Sequence, residues 1–491
     1  MEACVKGLVK EVPHMKVVSS YGVHIQDHRK AIKATVDIYR DATAFVIDVI
    51  NKEWGALGPI YKKDKRLCKT ALEALIHKTA KNPAPKYDFD GKFYKMPSYF
   101  RRAVMAAAIG GVSSYHSNLA HWEAGGRRGQ EPKLTYDRNV MPVFFRDNMS
   151  QSDAMLRGET TMVQLKLFVK NDWVWVDIHC RPRDVKYLAK WWSSVKASAP
   201  TLEVERRKGR RHGSYSLRYA CEEWRDLSLR DEPLDTRTIL AVDLGINTDA
   251  VCSVMGADGT ILGRRFINFP REKDRMNHLL SKLRVEQQEH GRTGGRRTWD
   301  QINNLNNQLT VNISRAIVDM AAEYAVNVIV FEAFNFHGKI RGPKKQRLHL
   351  WRKRAIQDMV EHKAHRNLIR ISRVCAWGTS KLAFDGSGEI IRGRINLTKA
   401  ERAKLAAMTA QKRKEDKGRK ETHCSQELCT FQNGKEYNCD LSASYNIGAR
   451  YLLREWCKVV PGLEDQLPKT TLRTYANLID LKMSLASASA A

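Results

Sequence analysis

Hydrophobic positions recur every three or four residues through Ile32, Val36, Tyr39, Val46 and Ile50, and again through Phe100, Val104, Ala108, Val112, Tyr115, Leu119 and Trp122. That spacing lines one face of a helix, so residues 26–139 are predicted to form a helical domain whose stripes are packing surfaces. Pro97-Ser98 opens the second helix, and Gly125-Gly126 with Arg127-Arg128 closes it. From about residue 140 the period drops to two. MVQLKLFVKNDWVWVDIHC alternates over two runs joined at Asn171-Asp172, which is hairpin chemistry. Residues 140–235 are read as a β-rich domain, to which the run VKGLVKEV within residues 1–25 adds a strand.

A third texture starts at Arg237. TILAVDLGINTDAVCSVMGADGTILGRRFINF reads as a buried strand, a turn, and a hairpin through Asp258-Gly259. A long helix follows, with Ile302, Leu305, Leu309, Ile313, Ile317, Met320 and Tyr324 on one face; VNVIVFEAF and IRISRVCAW then read as strands. Strands interleaved with helices predict an α/β layer domain over 236–375 and 435–460. Between its two parts lies a basic insert, 376–434, and beyond it a segment, 461–491, whose SLASASAA tail is expected to be disordered. The fold class is thus α/β multidomain.

Composition narrows the class of partner. The chain has 491 residues, 43% of them hydrophobic, enough to bury several cores. No stretch reaches the roughly 18 apolar residues of a membrane span and no signal core opens the chain, so a soluble cytoplasmic protein is expected. Against 54 acidic residues stand 84 Lys and Arg, a formal charge of +30, which points to a polyanion and first of all to nucleic acid. Ten scattered cysteines make no disulfide framework.

Three acids stand out against their surroundings. Asp243 interrupts the apolar strand Ile239-Leu240-Ala241-Val242, Glu332 ends VNVIVF, and Asp440 precedes the helix-like LSASYNIGARYLL. An unpaired carboxylate in such a strand is costly to bury, so each belongs at an element end or on a metal. Singly, Asp243 and Glu332 also read as solvated strand ends and Asp440 as a helix N-cap. Together they suit two magnesium ions about 4 Å apart, the arrangement for phosphodiester hydrolysis.

AVDLGINTDAV, VIVFEAF and CDLSASYNIGARYL resemble the three split motifs of the RuvC domain in TnpB proteins and type V CRISPR effectors, a likeness covering roughly 237–455. MPSYFRRAVMAAAIGGVSSYHSNLAHW stands where compact members of that superfamily carry recognition helices. The resemblance implies an RNase H-like (RuvC) nuclease domain, a helical recognition domain and a β-rich wedge domain. It also implies a guide RNA, a double-stranded DNA target with a short adjacent motif, no membrane partner, and magnesium ligation by Asp243, Glu332 and Asp440. Asn446 is read as a plain helical polar residue, with contact to a strand or substrate as the alternative.

The chain departs from that family after Thr379-Ser380, where KLAFDGSG replaces the first cysteine pair of a zinc ribbon. His423, Cys424, Cys429 and Cys439 remain, spaced unlike paired zinc ligands, so zinc is not expected and 376–434 reads as a degenerate ribbon. Candidate phosphate contacts are Arg206, Arg207, Lys208, Arg210 and Arg211; Arg292, Arg296 and Arg297; and Lys344, Lys345, Arg347, Arg352, Lys353 and Arg354. Trp54, Tyr61, Tyr99 and Trp122 are read as packing residues, with base stacking as the alternative. Two other functions stay open at this point: a guide-free transposase or resolvase nuclease, and a non-cleaving RNA-guided repressor.

Overall fold

The protein is described by a computed structural model over residues 14–136, 140–145, 148–192, 196–205, 214–227, 233–291, 294–333, 352–392 and 428–490. It divides into two compact units, Val18–Glu223 and a second made of Trp224 onward together with the residues up to Val17, so that the strand His14–His24 begins in the second unit and ends in the first.

The first unit mixes helices and strands. Strand β1 (His14–His24) leads into helix α1 (Arg29–Lys52), which buries Ile32, Val36, Tyr39, Val46 and Ile50 as the stripe predicts. Helix α2 (Ser98–Ala124) starts after Pro97 and buries Phe100, Val104, Ala108 and Val112. Its predicted stripe continues through Tyr115, Leu119 and Trp122, which are only half-buried. Strands β2 (Met162–Val169) and β3 (Asp172–His179) form the expected hairpin. Its turn is Lys170-Asn171, with φ of 50° and 64°, because Asp172 already pairs with Val169. Strand β4 (Thr201–Glu205) and β1 flank β5 (Ser214–Asp226) in a second sheet. Helices and strands share one core, running from Ile32 and Phe100 through Leu165 and Ile178 to Tyr219. The Thr35 hydroxyl of α1 even accepts a hydrogen bond from the Phe168 amide of β2 (2.9 Å). The predicted VKGLVKEV strand lies outside the described residues.

The second unit is a three-layer α/β/α sandwich. Its sheet contains β6 (Ile239–Asp243), β7 (Ala250–Met255), β8 (Ile261–Ile267), β9 (Val328–Ala333) and β10 (Arg370–Cys375), in the order β8-β7-β6-β9-β10. The first three strands are mutually antiparallel, and β9 and β10 run parallel to β6, which is the RNase H-like arrangement. Period-two alternation divides each central strand between two cores. Leu240, Val242, Ile329 and Phe331 face helices α3 (Pro270–His290), α4 (Arg296–Glu323) and α5 (Lys353–Arg366). Ile239, Ala241, Val328 and Val330 face the opposite layer.

That layer begins after a small sheet in which β11 (Leu428–Thr430) lies between Ile391–Arg392 and β12 (Glu436–Asn438). It consists of α6 (Cys439–Val459) and α7 (Tyr475–Ala490). The expected disordered tail is corrected here: α7 runs through Ala490. Alanine has the highest helix propensity, and Leu478 and Leu481 anchor the helix in the core, so periodicity was a poor guide to it. Among the described residues no helix is long and apolar enough to cross a membrane.

Candidate active site

Strand alternation decides where the acids go. Asp243 follows Ala241 by two and Glu332 follows Val330 by two, so both side chains emerge on the sheet face covered by α6. The parallel register pairs Val242 with Phe331, and its next step sets Asp243 beside Glu332 at the carboxyl ends of β6 and β9. Asp440 lies in the first turn of α6. The N-cap is Asn438, whose Oδ1 accepts from the Leu441 amide (2.9 Å), so Asp440 is not spent on capping. Gly245 lets the loop after β6 turn tightly onto the Thr248 carbonyl. A Cβ there would stand 2.4 Å from the Thr248 carbonyl and 3.8 Å from Asp440 Oδ2.

Asp243 is 9% exposed and Glu332 is 6% exposed. Burial, then the negative charges of Glu332 and Asp440, push the Asp243 carboxyl well above the usual carboxylate range; Lys353 and Arg392 pull the other way. Lys353, the first residue of α5, turns inward with Nζ 3.4 Å from Glu332 Oε2. Burial pushes its ammonium below the ordinary lysine range, against the pull of Glu332 and Asp243. The Thr379 hydroxyl donates to Glu332 Oε1.

Asn446 and Arg450 fix the segment that carries Thr379. Asn446, fully buried, donates to the carbonyls of Thr379 (3.0 Å) and Leu382 (2.9 Å) and accepts from the Tyr475 amide (3.1 Å). The Arg450 guanidinium, 2% exposed, donates to the carbonyls of Cys375 (2.8 Å), Trp377 (2.7 Å), Thr471 (2.8 Å) and Arg473 (3.1 Å). Asn446 is thus an internal clamp. The sequence carried a signal for this pair that went unread: two polar residues four apart on one face of the apolar run NIGARYLL.

Among the described residues, no three His, Cys, Asp or Glu side chains stand as a group able to hold a metal ion. Carboxylate oxygens are the donors a hard cation takes, and Asp243, buried beside Glu332, also feels the negative charge of Asp440. Beside the site a cavity of about 480 Å³ opens between the loop after β6 and α3, α4 and α5, lined by Asn247, Asn268, Asn306, Thr310 and Arg352 among others.

Of the basic residues read as phosphate contacts, Arg296, Arg297 and Arg354 are exposed. Arg352 is half-buried and donates to Asn307, and Lys353 is turned onto Glu332. Arg206, Arg207, Lys208, Arg210, Arg211, Arg292, Lys344, Lys345 and Arg347 lie outside the described residues, as do His423 and Cys424. Cys429 and Cys439 share a small buried cluster. A hydrogen bond between them pushes the Cys429 thiol up and the Cys439 thiol down. Trp54, Tyr61 and Tyr99 pack against the first unit's core, Trp54 stacking on His116 at 4.8 Å.

Residues 19–169 match the sequence family described as the Aq_aa04 family. Over 143 residues the chain is 25% identical to the TnpB-like protein aq_aa05 of Aquifex aeolicus (strain VF5). That match spans 26% of this chain and 47% of the relative, so the chain covers about half of the relative's length. Similar solved structures include the Cas12f1-sgRNA-target DNA complex, at TM-score 0.43 and 14% identity over 85% of this chain and 81% of that one. Another is C2c1 of Alicyclobacillus acidoterrestris with single-guide RNA, at TM-score 0.40 and 9% identity over 86% and 69%. The curated relative is described as a TnpB-like protein, one of the two groups whose motifs the sequence resembles.

Proposed function

We propose that the chain is an RNA-guided DNA endonuclease with one RuvC-type site, in which Asp243, Glu332 and Asp440 hold two magnesium ions. One observation supports the reading: Asp243 and Glu332 stand buried side by side at the ends of β6 and β9, and the charges of both Glu332 and Asp440, the latter in the first turn of α6, act on the Asp243 carboxyl. Magnesium, when bound, lowers the pKa of a water and neutralises charge building on the phosphate and the leaving oxygen. The chain's own residues prepare that site. Thr379 orients Glu332 by holding Oε1, and Lys353 balances the acids until a cation replaces it.

The +30 charge supports a nucleic-acid partner. Arg296 and Arg297 add to it, because they occupy the first turn of α4, where the helix dipole favours anions. A phosphate there would relieve the opposition. The guide is proposed from the likeness to the TnpB-like protein, and with it a double-stranded DNA target bearing a short adjacent motif. Zinc forms no part of the proposal.

The test is to purify the full chain with whatever RNA accompanies it, sequence that RNA, and assay magnesium-dependent cleavage of DNA matching its guide portion. Asp243→Ala, Glu332→Ala and Asp440→Ala are each expected to lower cleavage by at least about a hundredfold while guide and target binding stay nearly unchanged. Full cleavage by any one variant would remove that residue from the site. Cleavage by protein free of RNA would make the enzyme guide-free.

A further inference from the structure

The segment after β10 joins the carboxylates to an aromatic ring the chemistry above leaves unused. Trp377 is 58% exposed, although its backbone is held in place. Arg450 donates to its carbonyl, and Gly378 behind it turns at φ 78°, where a Cβ would meet the Thr471 carbonyl at 3.0 Å. Amides of Lys381 and Leu382 close a turn onto the Gly378 carbonyl at 3.2 and 3.1 Å. Thr379, two residues on, holds Glu332. Two residues of chain span at most about 7 Å, so the backbone of Trp377 lies within that distance of the residue that holds Glu332.

An exposed indole costs solvation and commonly belongs to a core or an interface. This one has a fixed base and an exposed ring with one lysine over it. Lys381 Nζ, paired with Glu389 Oε1 at 2.5 Å, lies over the ring 5.7 Å from its centroid, and Arg392, which donates to the Ser380 carbonyl at 3.2 Å, is exposed. A rigid aromatic face beside cations is the combination that binds unpaired nucleic-acid strands, the ring taking a base and the cations the backbone.

Resting on the nuclease reading above, we infer that Trp377 stacks on an unpaired nucleobase of the DNA strand whose phosphate reaches Asp243, Glu332 and Asp440. The stack sets which phosphate arrives there. Trp377 is then a positioning residue, since it touches the strand and none of the reacting atoms.

The experiment uses the full chain with its bound RNA, in chelator so that no cleavage intervenes, and single-stranded oligodeoxynucleotides carrying 2-aminopurine at successive positions. The expected result is fluorescence quenching at one position, lost in Trp377→Ala and in Trp377→Leu, together with about a five- to hundredfold weaker affinity. Trp377→Phe should restore most of both, because a smaller ring still stacks. In magnesium, Trp377→Ala should scatter or shift the cut position on a matched target. Unchanged quenching and affinity in Trp377→Ala would overturn the inference. So would a Phe variant as impaired as the Ala variant, which would mark a structural role, and so would a wild-type chain that quenches nowhere. A wild-type chain that quenches at one position yet never cuts DNA with magnesium would sink the nuclease reading while leaving the stacking result standing.

Discussion

Lys353 supplies from inside the protein the positive charge that the acids lack. With Nζ 3.4 Å from Glu332, it stands, on the proposed reading, where part of a metal's charge would be, and a bound cation would compete with it. Lys353→Met is therefore expected to lower the magnesium concentration for half-maximal cleavage several-fold, read from a titration at fixed ionic strength. A higher requirement would mean that the ammonium helps to hold the substrate. Asp243 gives a second test. Its carboxyl is raised above the ordinary value of 3.8, chiefly by burial and then by Glu332 and Asp440, so the folded chain grips that proton more tightly than the unfolded one. The stability this provides is complete below the ordinary pKa and is lost as pH rises through the elevated one. In chelator at pH 7, Asp243→Asn should melt a few degrees above wild type, the gap closing below about pH 4. Equal melting temperatures at neutral pH would contradict the coupling.

At the scale of elements, α6 owes its closeness to the sheet to Gly448. A Cβ there would lie 2.9 Å from Met255 Cε and 3.2 Å from Ala241 Cβ. The methionine end can move, but the strand residue has little room. Gly448→Val should cost about 1–3 kcal/mol by overpacking and weaken magnesium binding as well, because Asp440 rides on the same helix. A melting temperature and magnesium titration both matching wild type would show the interface to be looser. Asp243 and Glu332 were legible in the sequence because an acid inside an apolar run is conspicuous, and the same alternation that conceals a strand's neighbours reveals its faces. Lys353 and Thr379 were not legible, since each sits in a polar stretch and gains its meaning only across β9. The hairpin of β2 and β3 was found, displaced by one residue at its turn, because period two marks strands better than their ends. The final helix was missed because Ser and Ala carry no stripe. Residues 26–139 were read as helical, but their packing onto β2 and β3 depends on contacts such as Thr35 with Phe168, which no local pattern records.

For the whole molecule the dominant quantity is charge. With 84 basic and 54 acidic residues, association with nucleic acid should fall steeply with salt as counterions are released from phosphates. Neutralising Arg292, Arg296 and Arg297 together should make the log–log slope shallower by about 2–3 while leaving target preference nearly unchanged. A flat plot for the wild type would remove the basic surface from the account.

Arg450 ties residues 375–377 to residues 471–473, and Asn446 ties 379–382 to Tyr475. During synthesis every acid, Asp440 included, has been made before the carbonyls and the amide that complete those ties exist. The growing polypeptide therefore carries its carboxylates some thirty residues ahead of the parts that position Thr379 against Glu332. If the proposed activity holds, a ribosome-bound chain ending shortly after α6 would carry all three acids and still be expected to cut nothing, an interval in which the nascent nuclease is harmless to the translating cell.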